Sequence, residues 1–226
     1  MQKTKFISIL LLVLSILFIY YAYAFNLPKW FPFNKENALE EWEEKVFKNR
    51  VLYIVKPKHE GGYLLAKSKE ACSGLLYRIK FYSKKFPMIS WRWQVTKFPE
   101  KRKGADIKGG WIEKDDYAAR VYVIFPSWYF MHIKCIEYIW DESLPEGTII
   151  TSPHFRNIKL IVVETGKENI GQWVFEKHNI YEDYKKAFGR APSGYVGGIA
   201  LMTDTDNTLS TAEALYKDIK VGYKDG

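Results

Sequence analysis

From about residue 53 onward, apolar and polar side chains alternate with a period of two in short bursts. The bursts fall at residues 53–55, 63–66, 74–79, 88–95, 118–125, 134–140, 159–165, 173–177, 195–203 and 217–221, each rich in β-branched or aromatic residues. Gly, Pro, Ser and Lys punctuate the gaps between them, which is the signature of many short strands joined by turns. Two segments break the pattern. Residues 37–46 open on the capping residue Asn37 and set Leu39, Trp42 and Val46 at helical spacing, which predicts a short helix on the rim of the core. Residues 181–189 place Tyr184 and Phe188 one turn apart and end on Gly189, a C-terminal cap. The expectation is an all-β fold, a two-sheet β-sandwich of jelly-roll type with one or two short peripheral helices.

Alternation also assigns faces. In the run ISWRWQV, Ile89, Trp91, Trp93 and Val95 share one side and Ser90, Arg92 and Gln94 the other. In AARVYVIF, Ala119, Val121, Val123 and Phe125 oppose Ala118, Arg120, Tyr122 and Ile124. The tryptophans are therefore read as core, with Arg92 and Arg120 pointing away from it. In LIVVETG, Glu164 falls in line with Leu160 and Val162.

The first residues change the compartment. Lys3 and Lys5 precede an apolar stretch at residues 6–21, followed by Ala22-Tyr23-Ala24, which reads as an export leader over residues 1–24 with cleavage after Ala24. The stretch approaches the ~20 residues that span a bilayer, so an uncleaved anchor is the alternative. Either way residues 25–226 form one domain in the periplasm or elsewhere outside the cytoplasmic membrane, touching the membrane only through the N-terminal segment. The formal net charge of +8 is spread along the chain with no basic block, so no nucleic-acid partner is implied. The two cysteines, Cys72 and Cys135, either pair in that oxidising setting or stay apart as thiols; spacing does not decide.

Several stretches, ACSGLLYRIKF at residues 71–81, FPMISWRWQV at 86–95, KDDYAARVYVIF at 114–125, EYIW at 137–140, VVETG at 162–166, GQWVFEKHNIYEDYKKAFG at 171–189, GGIALMTDTDNT at 197–208 and ALYKDIKV at 214–221, resemble in order the family called domain of unknown function 3047, found in exported bacterial proteins. That resemblance implies a fold and no activity. A looser similarity links Trp173, the segment 183–188, the strand 199–202 and Tyr216 to Ile219 with galactose-binding-like jelly rolls, among them carbohydrate-binding modules and complex I intermediate-associated proteins. It implies a structural role for Asp218.

Candidate chemistry is sparse. TDTDNT at residues 203–208 sets Asp204, Asp206 and Asn207 at the end of an apolar run. Three readings stand: a calcium-holding loop, a polar turn, or ligand contact. If Arg92, Asp116, Arg120, Glu164 and Asp204 face one side of a sheet, they form a polar patch that requires a salt-bridge network or a ligand. Trp111, between Gly109-Gly110 and the acidic pair Asp115-Asp116, is the first choice for a ligand-facing ring. There is no Gly-x-Ser-x-Gly, no metal-binding spacing among the four histidines and no phosphate-cradling glycine loop. No cofactor is implied apart from calcium at that turn. The resulting expectation is an exported, non-catalytic binding domain for a glycan or envelope component. The alternatives are a carbohydrate-active enzyme using two of these carboxylates, or an assembly factor that docks on an envelope protein.

Overall fold

The computed structural model describes residues 27–58, 61–101, 115–129 and 132–225, and among these are thirteen strands and one helix. One sheet runs β11 (Val174–Asn179), β6 (Met88–Lys97), β13 (Thr211–Tyr223), β4 (Tyr63–Lys69) and β3 (Leu52–Lys56), with β1 (Lys29–Phe31) pairing on β13 as its sixth strand. The other runs β2 (Trp42–Lys48), β5 (Cys72–Phe81), β12 (Val196–Met202), β7 (Arg120–Phe125), β8 (Lys134–Asp141), β10 (Ile158–Thr165) and β9 (Ile149–Thr151). Among the described strands only β8 and β10 pair in parallel. The chain changes sheet at every step between consecutive strands except β3 to β4 and the run β7 to β10, giving a two-sheet sandwich of jelly-roll type. Among the described residues, the strands of both sheets lie within Lys29–Tyr223. Among the described residues no helix is long and apolar enough to cross a membrane.

The inward sides are those the alternation predicts. Ile89, Trp91, Trp93 and Val95 lie in the core with Val121, Val123, Ile136, Tyr138, Trp140, Ile199 and Leu201. Ring contacts knit the two sheets together: Trp91 meets Tyr138 at 5.3 Å and Trp93 meets Trp140 at 6.1 Å, while Trp91 and Trp93 also touch along β6 at 5.3 Å. Such tilted and edge-on pairs contribute beyond their buried area.

One end of the sandwich is closed by α1 (Ile180–Phe188), where the sequence expects a helix. The side chain of Asn179 accepts from the Glu182 amide at 3.1 Å, and Gly189 at φ 69° donates its amide to the Lys185 carbonyl at 2.9 Å. Tyr184 packs on Phe125 at 4.6 Å. His178 joins three elements at this end, with Nε2 2.9 Å from Glu176 and Nδ1 3.8 Å from Asp183, which also accepts from the Tyr138 hydroxyl.

The other expected helix is absent. Residues 37–41 form a turn, with Glu40 and Trp42 amides donating to the carbonyls of Asn37 and Leu39, and the chain then extends as β2. Asn37 does start a turn as its capping character suggests. The edge of the sheet overrides continuation, because Trp42 in strand geometry pairs with Tyr77 and packs its ring on Phe31 at 5.0 Å and Tyr77 at 5.5 Å. Cys72 and Cys135 are separate thiols. They sit on β5 and β8 with β12 and β7 between, about three strand spacings of ~4.8 Å apart, well beyond the reach of a disulfide.

Trp91→Ala, which removes a ring with 0% exposure, is expected to lower unfolding free energy by about 3–5 kcal/mol in urea titrations.

Candidate functional site

Arg120 opens β7 on the outer side of the seven-stranded sheet, yet it is only 3% exposed. A guanidinium leaves water at acceptable cost only when its donors are met. Nε donates to Asp204 Oδ1 at 2.9 Å and Nη2 to Asp204 Oδ2 at 2.6 Å, a bidentate pair. Nη1 donates to Glu137 Oε1 at 2.6 Å and to the Tyr122 hydroxyl at 3.4 Å, while Nη2 also donates to the Asp115 carbonyl. All five N–H groups are thereby matched. Asp115 adds its carboxylate 3.5 Å from Nη1, and His154 Nε2 lies 3.3 Å from the other oxygen of Asp115.

The TDTDNT segment is the other half of this arrangement, and each residue has an internal task. Thr203 donates to the Ala118 carbonyl at 2.7 Å, Asp204 takes Arg120, and Thr205 shares a hydrogen bond with Ser68 at 2.8 Å. Asp206 lies 4.0 Å from Lys48. Asn207 turns its amide toward Asp116, which accepts from the Asn207 backbone and side chain and from the Thr208 amide at 2.6 Å. The segment is a polar turn stapled to the start of β7.

Asp116, Arg120 and Asp204 are thus brought together as the alternation suggests. Glu164 lies near the end of β10 beyond a slip in the ladder after Val162, which pairs it with the inward-facing Trp140 and takes it off the outer line of Leu160 and Val162; it accepts from the Thr165 amide and from Asn169, at 3.3 and 3.4 Å, without contact with Arg120. Arg92 belongs to the other sheet altogether, so the expected shared surface does not form around all five residues. Trp111 lies outside the described residues. Sequence reasoning passed over Glu137 and His154; the one acidic residue in the apolar run of β8 was the available signal for the first.

The carboxylates outnumber the guanidinium, and burial raises Asp115 to about 7, with Arg120 opposing and Glu137 and Asp116 adding to the rise. Burial also raises Asp204, against the pull of Arg120. A metal could be sought where the ligand atoms of Cys72, Asp204 and Asp206 come within 4.8 Å of one another. The donors suit calcium poorly. Both Asp204 oxygens face Arg120, Asn207 points its amide nitrogen at Asp116, and burial with the nearby aspartates pushes the Cys72 thiol well up, so it stays protonated.

A second polar surface occupies the outer side of the six-stranded sheet. Arg92 of β6 stands opposite Phe175 of β11 and Lys217 of β13. The ladder slips between Lys217 and Lys220, and Asp218 adopts φ 54°, a left-handed conformation that costs energy for a side-chain-bearing residue. The bulge turns both Lys217 and Asp218 outward while Ile219 stays in the core, and Asp218 reaches Arg92 Nε at 3.5 Å. Arg92 lies over Phe175 at 5.0 Å, Lys217 over Trp173 at 4.1 Å, and Trp173 meets Tyr63 at 6.1 Å. Phe175 is 51% exposed. Rings and cations therefore alternate across four strands of an open face.

Fold and surface together define a jelly-roll sandwich with one stapled end and one aromatic, cation-bearing face. The family described as "Protein of unknown function (DUF3047)" matches residues 40–220, and the chain belongs to that family. No curated protein matches the sequence. Similar solved structures include a cellulase derived from the Cel12A cellulase of Rhodothermus marinus, at 10% identity over 79% of this chain and 94% of that one with a TM-score of 0.45. A family 11 carbohydrate-binding module of Clostridium thermocellum aligns at 8% identity over 81% and 88%, with a TM-score of 0.44. The adhesin domain of Lys-gingipain from Porphyromonas gingivalis aligns at 8% identity over 88% and 100%, with a TM-score of 0.42. These likenesses assign no ligand to this chain.

Folded Asp115 keeps its proton to about pH 7 whereas the unfolded carboxyl releases it near 3.8, so the folded state binds more protons between those values. Stability is accordingly expected to fall as pH rises through this window. Asp115→Asn should flatten that part of the pH profile of unfolding free energy, a span of at most about 4 kcal/mol, as read by urea titration at several pH values.

Proposed function

We propose that the protein is an exported, non-catalytic binding domain for a glycan of the cell envelope. The observation that carries this reading is the open row of Tyr63, Trp173, Lys217, Arg92 and Phe175 on the six-stranded sheet, with Asp218 held beside Arg92 by a strained bulge. Aromatic faces take up the apolar C–H side of a pyranose ring, and an arginine–aspartate pair offers donors and acceptors to its hydroxyl groups. Backbone strain kept at an exposed position points to use there. On the opposite sheet, the carboxylates that acid–base hydrolysis would require are engaged. Asp204 and Glu137 hold Arg120, and Asp116 accepts from the amides of Asn207 and Thr208. TDTDNT acts in this reading as a staple and needs no calcium.

Affinity electrophoresis of residues 25–226 through gels containing neutral and acidic polysaccharides is expected to show retardation by at least one of them, without release of reducing ends. Trp173→Ala combined with Phe175→Ala should abolish the retardation while leaving the melting temperature close to that of the parent. Unchanged mobility in every gel overturns the glycan reading; sugar release overturns the non-catalytic part. Melting curves in EDTA and in calcium chloride should coincide, and a rise with calcium would return the turn to the calcium-loop reading.

A further inference from the structure

The two ends of the sandwich differ in charge and in exposed rings. One end carries the stapled turn and the carboxylates of Asp115, Asp116, Asp204 and Asp206. At the other end, register brings together the start of β6 with the ends of β11 and β13, where Met88 pairs with Asn179 and Tyr223. Phe81 pairs with Val196, and Phe125 with Lys134, so the β5–β6 turn, the β7–β8 loop and the segment from α1 to β12 all emerge there.

Three observations meet at this end. Large rings stand in solvent: Trp128 is 80% exposed, Tyr129 68% and Tyr82 59%, the last against Tyr195 at 6.3 Å. Around them are Lys80, Lys84, Lys85, Lys134 and Arg190, none of which makes an ion pair among the described residues. Lys80 lies over Tyr195, Lys85 over Phe86 and Lys134 over Phe188. Partial burial lowers the pKa of Lys134, and the nearby cations Arg190 and Lys159 add to the fall. The nearby acids are already matched, Glu182 by Lys185, Asp183 by Lys186 and Asp225 by Lys177. Finally, β1 begins here: Lys29 pairs with Val221, and Leu27 lies against Gly222. The chain before Leu27 includes the apolar stretch of residues 6–21.

We infer that this end is a membrane-docking surface for an anionic phospholipid bilayer, with Trp128, Tyr129 and Tyr82 in the headgroup layer and the cation ring against lipid phosphates. Tryptophan and tyrosine favour that layer because an apolar ring and a polar edge are satisfied together. Clustered lysine and arginine add attraction that anionic headgroups supply and neutral ones do not. The position of Leu27 fits the same orientation, since an apolar segment held in a bilayer would deliver the domain with this end toward the lipid. The surface is separate from the face assigned to glycan, and the two bind independently.

The test is co-sedimentation of residues 25–226, which contain the described strands of both sheets, with vesicles of phosphatidylcholine alone or mixed with phosphatidylglycerol. Binding is expected only to the mixed vesicles, weakening as salt is raised, with a blue shift in tryptophan emission that is lost in Trp128→Phe. Lys134→Glu with Arg190→Glu, and separately Trp128→Ser with Tyr129→Ser, should each weaken partitioning roughly tenfold. Lys35→Glu with Lys69→Glu, an equal change of charge on other parts of the surface, should leave it near the parent value. Failure to sediment with the mixed vesicles, or equal losses in the control and the docking-end variants, overturns the inference.

Discussion

A guanidinium gives up water only where fixed oxygens replace it on every side, and Arg120 is placed where those oxygens come from three separate pieces of chain. Asp204 follows β12, Glu137 lies on β8, the Asp115 carbonyl precedes β7, and Tyr122 is on β7 itself. None of these groups can shift without stranding a buried charge, a loss larger than most single packing defects. The segment TDTDNT owes its composition to this demand. Its polar side chains each bind chain that would otherwise be free at the end of the sandwich, which is why residues that look like ligands in one dimension are internal ties in three.

With charge locked on the outer side of one sheet, the outer side of the other is left as the open polar surface. The contrast is between satisfied and available groups. Arg120 has no donor to offer, whereas Arg92 touches one aspartate at 3.5 Å and an exposed ring. The aromatic residues divide in the same way. Trp91, Trp93 and Trp140 are spent on holding the sheets together, and Trp173, Phe175, Trp128 and Tyr129 are not. A chain this rich in aromatic residues, 17% of the whole, has rings left after its core is filled. They fall on one sheet face, where Arg92 and Lys217 lie over Phe175 and Trp173, and on one end.

Much of the sandwich was legible because burial on one side of a strand writes a period of two into the sequence. The inner ladder of Ile89, Trp91, Trp93 and Val95 and the outward setting of Arg120 follow from that period directly. The losses have specific causes. β2 carries a helix-like spacing of Leu39, Trp42 and Val46, and only pairing with β5 makes it a strand. β9, three residues long, is too short to show a period. The first half of β13 is rich in Ala and Glu, which favour helix in isolation, but its ladders with β4 and β6 decide otherwise.

The sequence by itself determined the all-β class, the inner and outer sides of the main strands, the helix ending at Gly189 and the kinship with its family, because each of these is a local pattern or a matched order of motifs. Only the tertiary structure decided that Arg92 and Arg120 serve different sheets, that Glu137 completes the cluster, that Cys72 and Cys135 stay apart, and that a bulge presents Asp218 beside Lys217. Strand order and register set these distances, and both arise from pairings between residues far apart along the chain, which no local periodicity encodes.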